Sequence, residues 1–428
     1  MFLAIQDAVN TGKGTVSLRG WVYRTRGSNV LKFIVLRDGT NIIQCVVEKE
    51  KVTPETWAAA EKILIESSVE IEGDLREDKR APTGYELGVK NLKIVQLAER
   101  FPITKDQSTE FLLDMRHLWL RSRELTTVWK VKAAILTAVR EYFAQHKYIE
   151  VTPPIITGSS CEGGSTLFKL DYFGEEAYLS QSAQLYLEAL IFSLDKVYAI
   201  TPSFRAEPSK TARHLTEYWH CEGEAAWMNF EQLLTFMEGL LSHVVQTVAD
   251  TCAEELKLLG RNPADLKKIQ PPFPRITYDE ALQILKKDGI EVPWGKDLRT
   301  EEEEQLMKHY DKPLIVTRYP KKIKAFYMKD DPENPDVVLC CDILAPEGYG
   351  EIIGSSQREE NIDILKRKIT AQGENTEHYN WYLDLRRFGS VPHSGFGLGI
   401  ERVVRWLCKL ETIRDAIPFP RTIKRKTP

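Results

Sequence analysis

The stretch from Phe204 to Glu224 limits the fold more than any other. It runs Phe204-Arg205-Ala206-Glu207, then a loop from Pro208 to Leu215, then Thr216-Glu217-Tyr218-Trp219-His220-Cys221-Glu222-Gly223-Glu224. Aromatic and aliphatic residues interleaved with charges on both sides of a loop read as strand, loop, strand, with one wall of the hairpin in a core. The hairpin carries two arginines, one lysine, two histidines and four glutamates, more charge than a half-buried hairpin needs for stability. Arg205 and Glu207 are two apart and so share a face. That face offers a guanidinium to a phosphate beside a carboxylate that accepts from an amine. Tyr218, on the return strand, offers a ring for a base to stack on. These are the parts of an ATP site that uses no P-loop.

A chain of 428 residues allows two or three domains with substantial cores. The N-terminus meets an acid at Asp7 and lacks the basic start and apolar run of a signal peptide. No apolar stretch reaches membrane-spanning length. The seven cysteines are scattered without a Cys-x-x-Cys pair. A cytoplasmic protein is expected, with no membrane association, disulfide framework or zinc site. The formal net charge of -4 excludes a general attraction to polyanions, so nucleic acid would have to be met by local basic patches.

Residues 15–97 read as a small β unit. Val16, Leu18 and Val22 alternate with polar or glycine positions, and Lys32 to Arg37 and Asn41 to Val47 flank the turn signal Asp38-Gly39-Thr40. A helix is predicted from Pro54 to about Ile65, then a strand through Val69, Ile71, Gly73 and Leu75, and a last strand from Tyr85 to Val95. Three strands, a helix and two strands fit an OB-fold barrel, a frequent binder of oligonucleotides. Alternation puts Ile34 and Leu36 on one face with Phe33 on the other, and Ile43, Cys45 and Val47 opposite Gln44. An outward ring beside an outward amide would form a stacking platform and an edge reader for an unpaired base. The domains are therefore expected at 1–98 (OB-fold), 99–122 (linker or hinge) and 123–428, in an α+β chain.

In the third segment, a helical pattern over 123–147 feeds Tyr148-Ile149-Glu150-Val151-Thr152-Pro153-Pro154-Ile155-Ile156, a strand ending in prolines. Tyr178 to Glu188 is expected to start a helix, and residues 229–330 carry more helical periodicity. The run Glu301 to Glu304 reads as a solvated helix N-terminus, where acids suit the dipole, and no chemistry is assigned to it. Asp342, on a strand-like segment, and Glu351, on the next, could share a divalent cation that bridges triphosphate oxygens. His393-Ser394-Gly395-Phe396-Gly397-Leu398-Gly399-Ile400-Glu401-Arg402 runs into a helix whose apolar face holds Ile400, Val403, Val404 and Leu407. These glycines do not open a dinucleotide fold, because only thirteen residues follow Asp415 and no second βα unit fits. They are expected to let the backbone approach a base closely, leaving Arg402 to meet phosphate.

Phe204-Arg205-Ala206-Glu207 with its loop and return strand resembles motif 2 of the class II aminoacyl-tRNA synthetases. Gly397-Leu398-Gly399-Ile400-Glu401-Arg402 resembles motif 3, and the helix, strand and prolines up to Ile156 resemble motif 1. With an OB-fold in front, the resemblance spans nearly the whole chain and points to the aspartyl, asparaginyl and lysyl group. It implies a catalytic domain built on an antiparallel sheet flanked by helices, ATP and Mg²⁺ as cofactors, a tRNA substrate, and a homodimer through Tyr148 to Ile156. Aspartyl members carry Gln-Ser-Pro-Gln-Leu-Tyr-Lys-Gln, whose lysine pairs with the substrate carboxylate. Here Gln181-Ser182-Ala183-Gln184-Leu185-Tyr186-Leu187-Glu188 loses the cation and gains an anion. The NH₂ of a carboxamide could donate to that anion while Arg358 donates to the amide oxygen. The pocket thus resembles that of the asparaginyl-tRNA synthetases, the archaeal type most closely. This implies activation of asparagine to its adenylate and transfer to tRNA(Asn). The alternatives are an aspartyl enzyme, discriminating or not, and an adenylate-forming paralogue that needs no tRNA.

By match to the family, Arg205 would bind the α-phosphate, Glu207 the adenine amino group, and His214 and Arg402 the distal phosphates, with Tyr218 stacked on adenine. Arg213, Leu215, Glu351 and Gly399 would complete the ATP site, and Arg205, Glu207 and Arg402 would carry catalysis. Glu162 and Gln184 would take the substrate α-ammonium, with Ser182, Glu188, Arg358 and Gly397 around the rest of the amino acid. Asp342 and Glu351 would hold Mg²⁺, and Arg26, Phe33 and Gln44 fall where the family reads the anticodon. One departure stands out: the family shows Gly-Gly after Glu-Ile-x, and this chain has Gly354-Ser355, which is expected to add a hydroxymethyl near the amino acid.

Overall fold

The alternating apolar positions of the first hundred residues close on themselves. Strands Gly14–Gly27, Leu31–Arg37, Ile42–Glu48, Ser68–Glu77 and Tyr85–Gln96 form one sheet in which the first also pairs with the fourth, Leu18 opposite Ile71, closing a barrel. Leu18, Val22, Ile34, Leu36, Ile43, Cys45, Val47, Val69 and Ile71 fill it, joined by Trp57 from the helix Pro54–Lys62. Thr53 caps that helix by accepting from the Thr56 N–H, with Pro54 at its first position. This is an OB-fold, with two added elements that sequence periodicity did not reveal: an edge strand Phe2–Leu3 and a helix Ile5–Thr11. Their cause is tertiary. Ala4 has no side chain to cap the helix. Instead Asp38, in the hairpin turn, accepts the Ile5 N–H at 2.8 Å on one oxygen and the Thr40 and Asn41 N–H groups on the other.

The chain forms two compact units, Met1–Leu112 and Leu113–Pro428, and the division falls inside the stretch expected to be linker. The computed structural model describes all residues but 159–160, 162–165, 209–210 and 212. Part of the expected linker is built into the second unit. Arg116 is buried there, donating to the carbonyls of Arg414, Ile417 and Pro418 and to the Asp415 carboxylate.

The second unit is organised on a sheet of eight strands in the order Arg275–Thr277, Leu314–Thr317, Cys340–Ala345, Gly350–Gln357, His393–Gly399, Glu217–Ala226, Lys196–Phe204 and Ile149–Glu150. The inner pairings are antiparallel as expected, whereas both edge pairings are parallel. Edge strands that arrive by long connections need not run as hairpin arms. One face carries Cys221, Ala225, Ile353, Phe396 and Leu398 into a core shared with the helices Arg123–Gln145 and Phe230–Thr251. Ser122 caps the first helix, and a capping box of Asn229 and Gln232 starts the second. The helix expected to begin near Tyr178 starts only at Gln184, because Tyr178 and Leu179 end the strand Glu175–Leu179 and Ser180 turns the chain by bonding the Ser182 carbonyl. Among the described residues, no helix is long and apolar enough to cross a membrane.

Candidate active site

Strand alternation, read across three neighbouring strands, lays the floor of the site. His220, Glu222 and Glu224 stand on the face opposite Cys221 and Ala225, and their register partners are Gly399, Gly397 and Gly395. Gly354 and Ser356 continue the rows on the next strand. The glycines clear the floor for charged side chains. A Cβ at Gly397 would collide with the His220 ring, and one at Gly395 with the carboxylate of Glu224 and the guanidinium of Arg358. This space, expected to admit a base, is crossed at Gly395 and Gly397 by protein side chains.

Above the floor is a cavity of ≈ 730 Å³ whose lining includes Ser182, Gln184, Arg205, Glu207, Asp342, Glu351, Arg358 and Gly397. A cleft of ≈ 70 Å³ adjoins it, bounded by Arg213, His214, Leu215, Tyr218, Gly399 and Arg402, and sharing Arg205, His220, Glu351 and Gly397 with the larger space. Residues from the hairpin, from the strand Gly350–Gln357 and from the C-terminal glycine run therefore converge. Every residue expected at the ATP or amino-acid site borders one space or the other, with two exceptions. Glu162 lies outside the described residues, and Glu188 borders neither.

Glu188 is wholly buried behind the wall, where Arg386, Tyr382, His393 and Gln184 donate to its carboxylate. It was expected to face the substrate side chain. Its neighbour Leu187 lines the cavity instead. The carboxylate that faces the cavity beside Arg358 is Glu224, which accepts from Arg358 Nε at 3.0 Å and Nη2 at 2.8 Å, while Nη1 donates to Ser356 at 2.8 Å. Burial pushes the Glu224 pKa up, against the pull of the Arg358 guanidinium. Glu222 accepts from the Ser182 hydroxyl and, at 2.8 Å, from the Ala183 N–H. Ser182, expected to touch the amino acid, thus spends its proton on the protein. Glu222 and Glu224 were within reach of sequence reading, since they continue the alternation through His220, but nothing local marked them above the other acids of the hairpin.

Where the cleft meets the cavity, Arg402 Nη1 meets Glu351 Oε2 at 3.1 Å and the Glu351 carbonyl at 2.9 Å. Glu351 and Asp342 both close on Gly354, and Lys324, which sequence reading missed, donates to Asp342 at 2.9 Å. Burial, aided by the Glu351 charge and opposed by Lys324, pushes the Asp342 pKa to about 6. For Glu351 burial acts upward too, but Arg402, Lys324 and Arg205 outweigh it and hold the pKa at about 2. The acid run also departs from expectation. Glu303, on the helix Thr300–Met307, is turned inward to bind Arg213 Nη1 at 2.9 Å, and Arg213 Nη2 donates to Glu304 at 3.0 Å and to the Gly348 carbonyl at 2.6 Å. Burial and then the Glu351 charge push the Glu303 pKa to about 7. Ser355 borders the cavity, but its hydroxyl is taken up by Cys341, donating to that residue's carbonyl at 3.3 Å on the helix side of the sheet.

In the first unit Arg26, Phe33 and Gln44 come together. Arg26 lies over the Phe33 ring, 5.0 Å from its centroid, and donates to Gln44 Oε1 at 3.5 Å. Phe33 is half-buried and Gln44 buried, so the outward pair expected from alternation is only partly outward. The cause is the last strand, which pairs Glu86 with Gln44 and accepts its NH₂ at 3.1 Å.

The family profile described as tRNA synthetases class II (D, K and N) matches residues 108–423, and that of the OB-fold nucleic acid binding domain matches 16–95. The chain is 50% identical over 413 residues, 96% of each chain, to the asparagine–tRNA ligase of Thermoplasma acidophilum. It superposes on the asparaginyl-tRNA synthetase of Pyrococcus horikoshii complexed with asparaginyl-adenylate with a TM-score of 0.96 and 49% identity, covering 100% of both chains. Likeness to the aspartyl-tRNA synthetase of Entamoeba histolytica is lower, with 26% identity and a TM-score of 0.86 over 100% of this chain and 93% of that one. The chain belongs to the class II aminoacyl-tRNA synthetases of the aspartyl, lysyl and asparaginyl group, and within that group to the asparagine–tRNA ligase family.

Proposed function

We propose that this protein condenses asparagine with ATP to asparaginyl-adenylate and pyrophosphate, and then transfers the asparaginyl group to tRNA(Asn). The observation that carries the amino-acid assignment is the Glu224–Arg358 pair beside the cavity. Three of the five N–H donors of Arg358 are engaged by Glu224 and Ser356, which leaves two for an amide oxygen, while Glu224 retains lone pairs for an amide NH₂. A carboxylate in the same place would face Glu224 as a like charge. The assignment to asparagine stands as expected from the sequence, with Glu224 taking the part given there to Glu188.

In the activation step the substrate carboxylate attacks the α-phosphorus in line, and pyrophosphate leaves. Arg205 meets the α-phosphate oxygens, and Arg402 and His214 hold the departing phosphates. Tyr218 stacks on adenine and Glu207 accepts from its amino group. Catalysis rests on positioning and charge complementarity, with no side-chain nucleophile. Two hard carboxylates, Asp342 and Glu351, converge over Gly354, a donor set that fits Mg²⁺, which when bound neutralises triphosphate charge. Gln184 accepts from the substrate α-ammonium. In the second step the terminal hydroxyl of tRNA attacks the adenylate carbonyl and AMP leaves. Arg26, Phe33 and Gln44 serve the anticodon, and a homodimer forms through Tyr148 to Ile156, where Ile149, Ile155 and Ile156 are exposed.

ATP–pyrophosphate exchange with asparagine and aspartate in parallel tests this reading. A preference for asparagine of about 10²-fold or more in kcat/KM is expected, since a site that hydrogen-bonds one group leaves buried partners unmatched with the other. Equal exchange would refute the asparagine assignment.

A further inference from the structure

Glu188 borders neither the cavity nor the cleft, yet it is a wholly buried acid with four donors around it. Arg386 Nη2 (2.6 Å), Tyr382 Oη (2.7 Å) and His393 Nε2 (3.0 Å) meet one oxygen, and Gln184 Nε2 (3.0 Å) meets the other. His393 Nδ1 lies 2.7 Å from the Val391 carbonyl oxygen. Arg386 Nη2 also lies 3.5 Å from His393 Nε2. Burial pulls the Glu188 pKa upward, but the Arg386 guanidinium and the hydrogen bonds from its neighbours outweigh it and hold Glu188 as a carboxylate. A carboxylate accepts and does not donate, so the NH₂ of Gln184 must be the end that turns to it. Gln184 lines the cavity, and its carbamoyl oxygen is the end left for a ligand.

We propose that Glu188 is a positioning residue for amino-acid binding, turning the Gln184 carbamoyl so that its oxygen, and not its NH₂, receives the α-ammonium of the substrate. This rests on the assignment of Gln184 to that ammonium in the reading above. Because asparagine and aspartate carry the same ammonium, the role of Glu188 does not depend on which of them the pocket selects.

The test is ATP–pyrophosphate exchange by the full chain and its Glu188→Gln and Glu188→Asp variants with both amino acids. It is joined to inhibition by succinamic acid, which is asparagine without its α-amino group. With glutamine at 188 either end of the Gln184 carbamoyl can face the cavity. KM for both amino acids should rise about tenfold or more, while KM for ATP, the asparagine-to-aspartate ratio of kcat/KM and inhibition by succinamic acid stay within about twofold. Glu188→Asp keeps the buried charge opposite Arg386 and His393 but withdraws its oxygens from Gln184. It should show the same pattern at smaller size, and it keeps the proposal testable if the glutamine variant does not fold. Unchanged KM in both variants, a collapse of the asparagine-to-aspartate ratio, or succinamic acid binding weakened in step with asparagine would overturn the proposal. A wild-type preference for aspartate would overturn the asparagine reading and leave the role of Glu188 standing.

Discussion

Two buried glutamates sit within reach of one imidazole: carboxylate oxygens of Glu188 and Glu224 and a ring nitrogen of His393 all lie within 4.8 Å of one another. Such a trio can resemble a metal site, but here each acid already has an arginine, Arg386 or Arg358. Their tasks differ because only one faces the cavity. On the helix Gln184–Leu194, Gln184 and Glu188 are four residues apart and stack on one side, so the Glu188 carboxylate meets Gln184. The selecting charge was expected on Glu188, which borders neither space, because a one-letter exchange in a helix says nothing of which way the wall turns. Glu224→Gln tests the assignment proposed for Glu224 while preserving shape. Losing a charged acceptor for the amide NH₂ should cost about 1.5–3 kcal/mol, a fall of roughly 10- to 10²-fold in kcat/KM for asparagine, with a smaller fall for aspartate. Exchange kinetics with both substrates measure it, and an unchanged ratio would remove Glu224 from selection.

At the level of elements, the site depends on the period of two in His393–Gly399, where Phe396 and Leu398 enter the core and Gly395 and Gly397 lie on the opposite face, under the side chains of Glu224, Arg358 and His220. That alternation was legible in the residues themselves; what the glycines make room for was not, because Glu224 lies far earlier in the chain and Arg358 just past the end of the strand Gly350–Gln357. Gly395→Ala should push a methyl into the Glu224–Arg358 pair. Overpacking of this kind costs about 1–3 kcal/mol, so the thermal midpoint should drop and asparagine exchange should fall with the pair displaced. Normal exchange kinetics in a folded Gly395→Ala protein would show that the pair is not needed where it stands. The acid run on Thr300–Met307 is the opposite case. Its dipole-facing composition was visible, but the inward turn of Glu303 onto Arg213 follows from where the helix packs, which periodicity over eight residues does not specify.

For the whole molecule, the two units keep separate cores, so their functions can be separated by mutation. Phe33→Ala removes a half-buried ring from the first unit. A base stacked on an aromatic side chain contributes about 1–3 kcal/mol, so KM for tRNA(Asn) should rise about 10- to 10²-fold while exchange without tRNA is unchanged. A parallel loss in tRNA-free exchange would mean that Phe33 acts through stability. The residues alone determined the barrel, the charged hairpin, the glycine alternation and most of the cavity-lining side chains, because strand pleating depends only on local spacing and sends every second residue to the same side. Tertiary structure decided the rest. It set Glu224 and not Glu188 beside the cavity, drew Lys324 onto Asp342 and Glu303 onto Arg213, buried Gln44 against Glu86 and capped the first helix with Asp38. Each of these depends on the direction of a side chain relative to a segment far away in the chain, and that direction is set by packing.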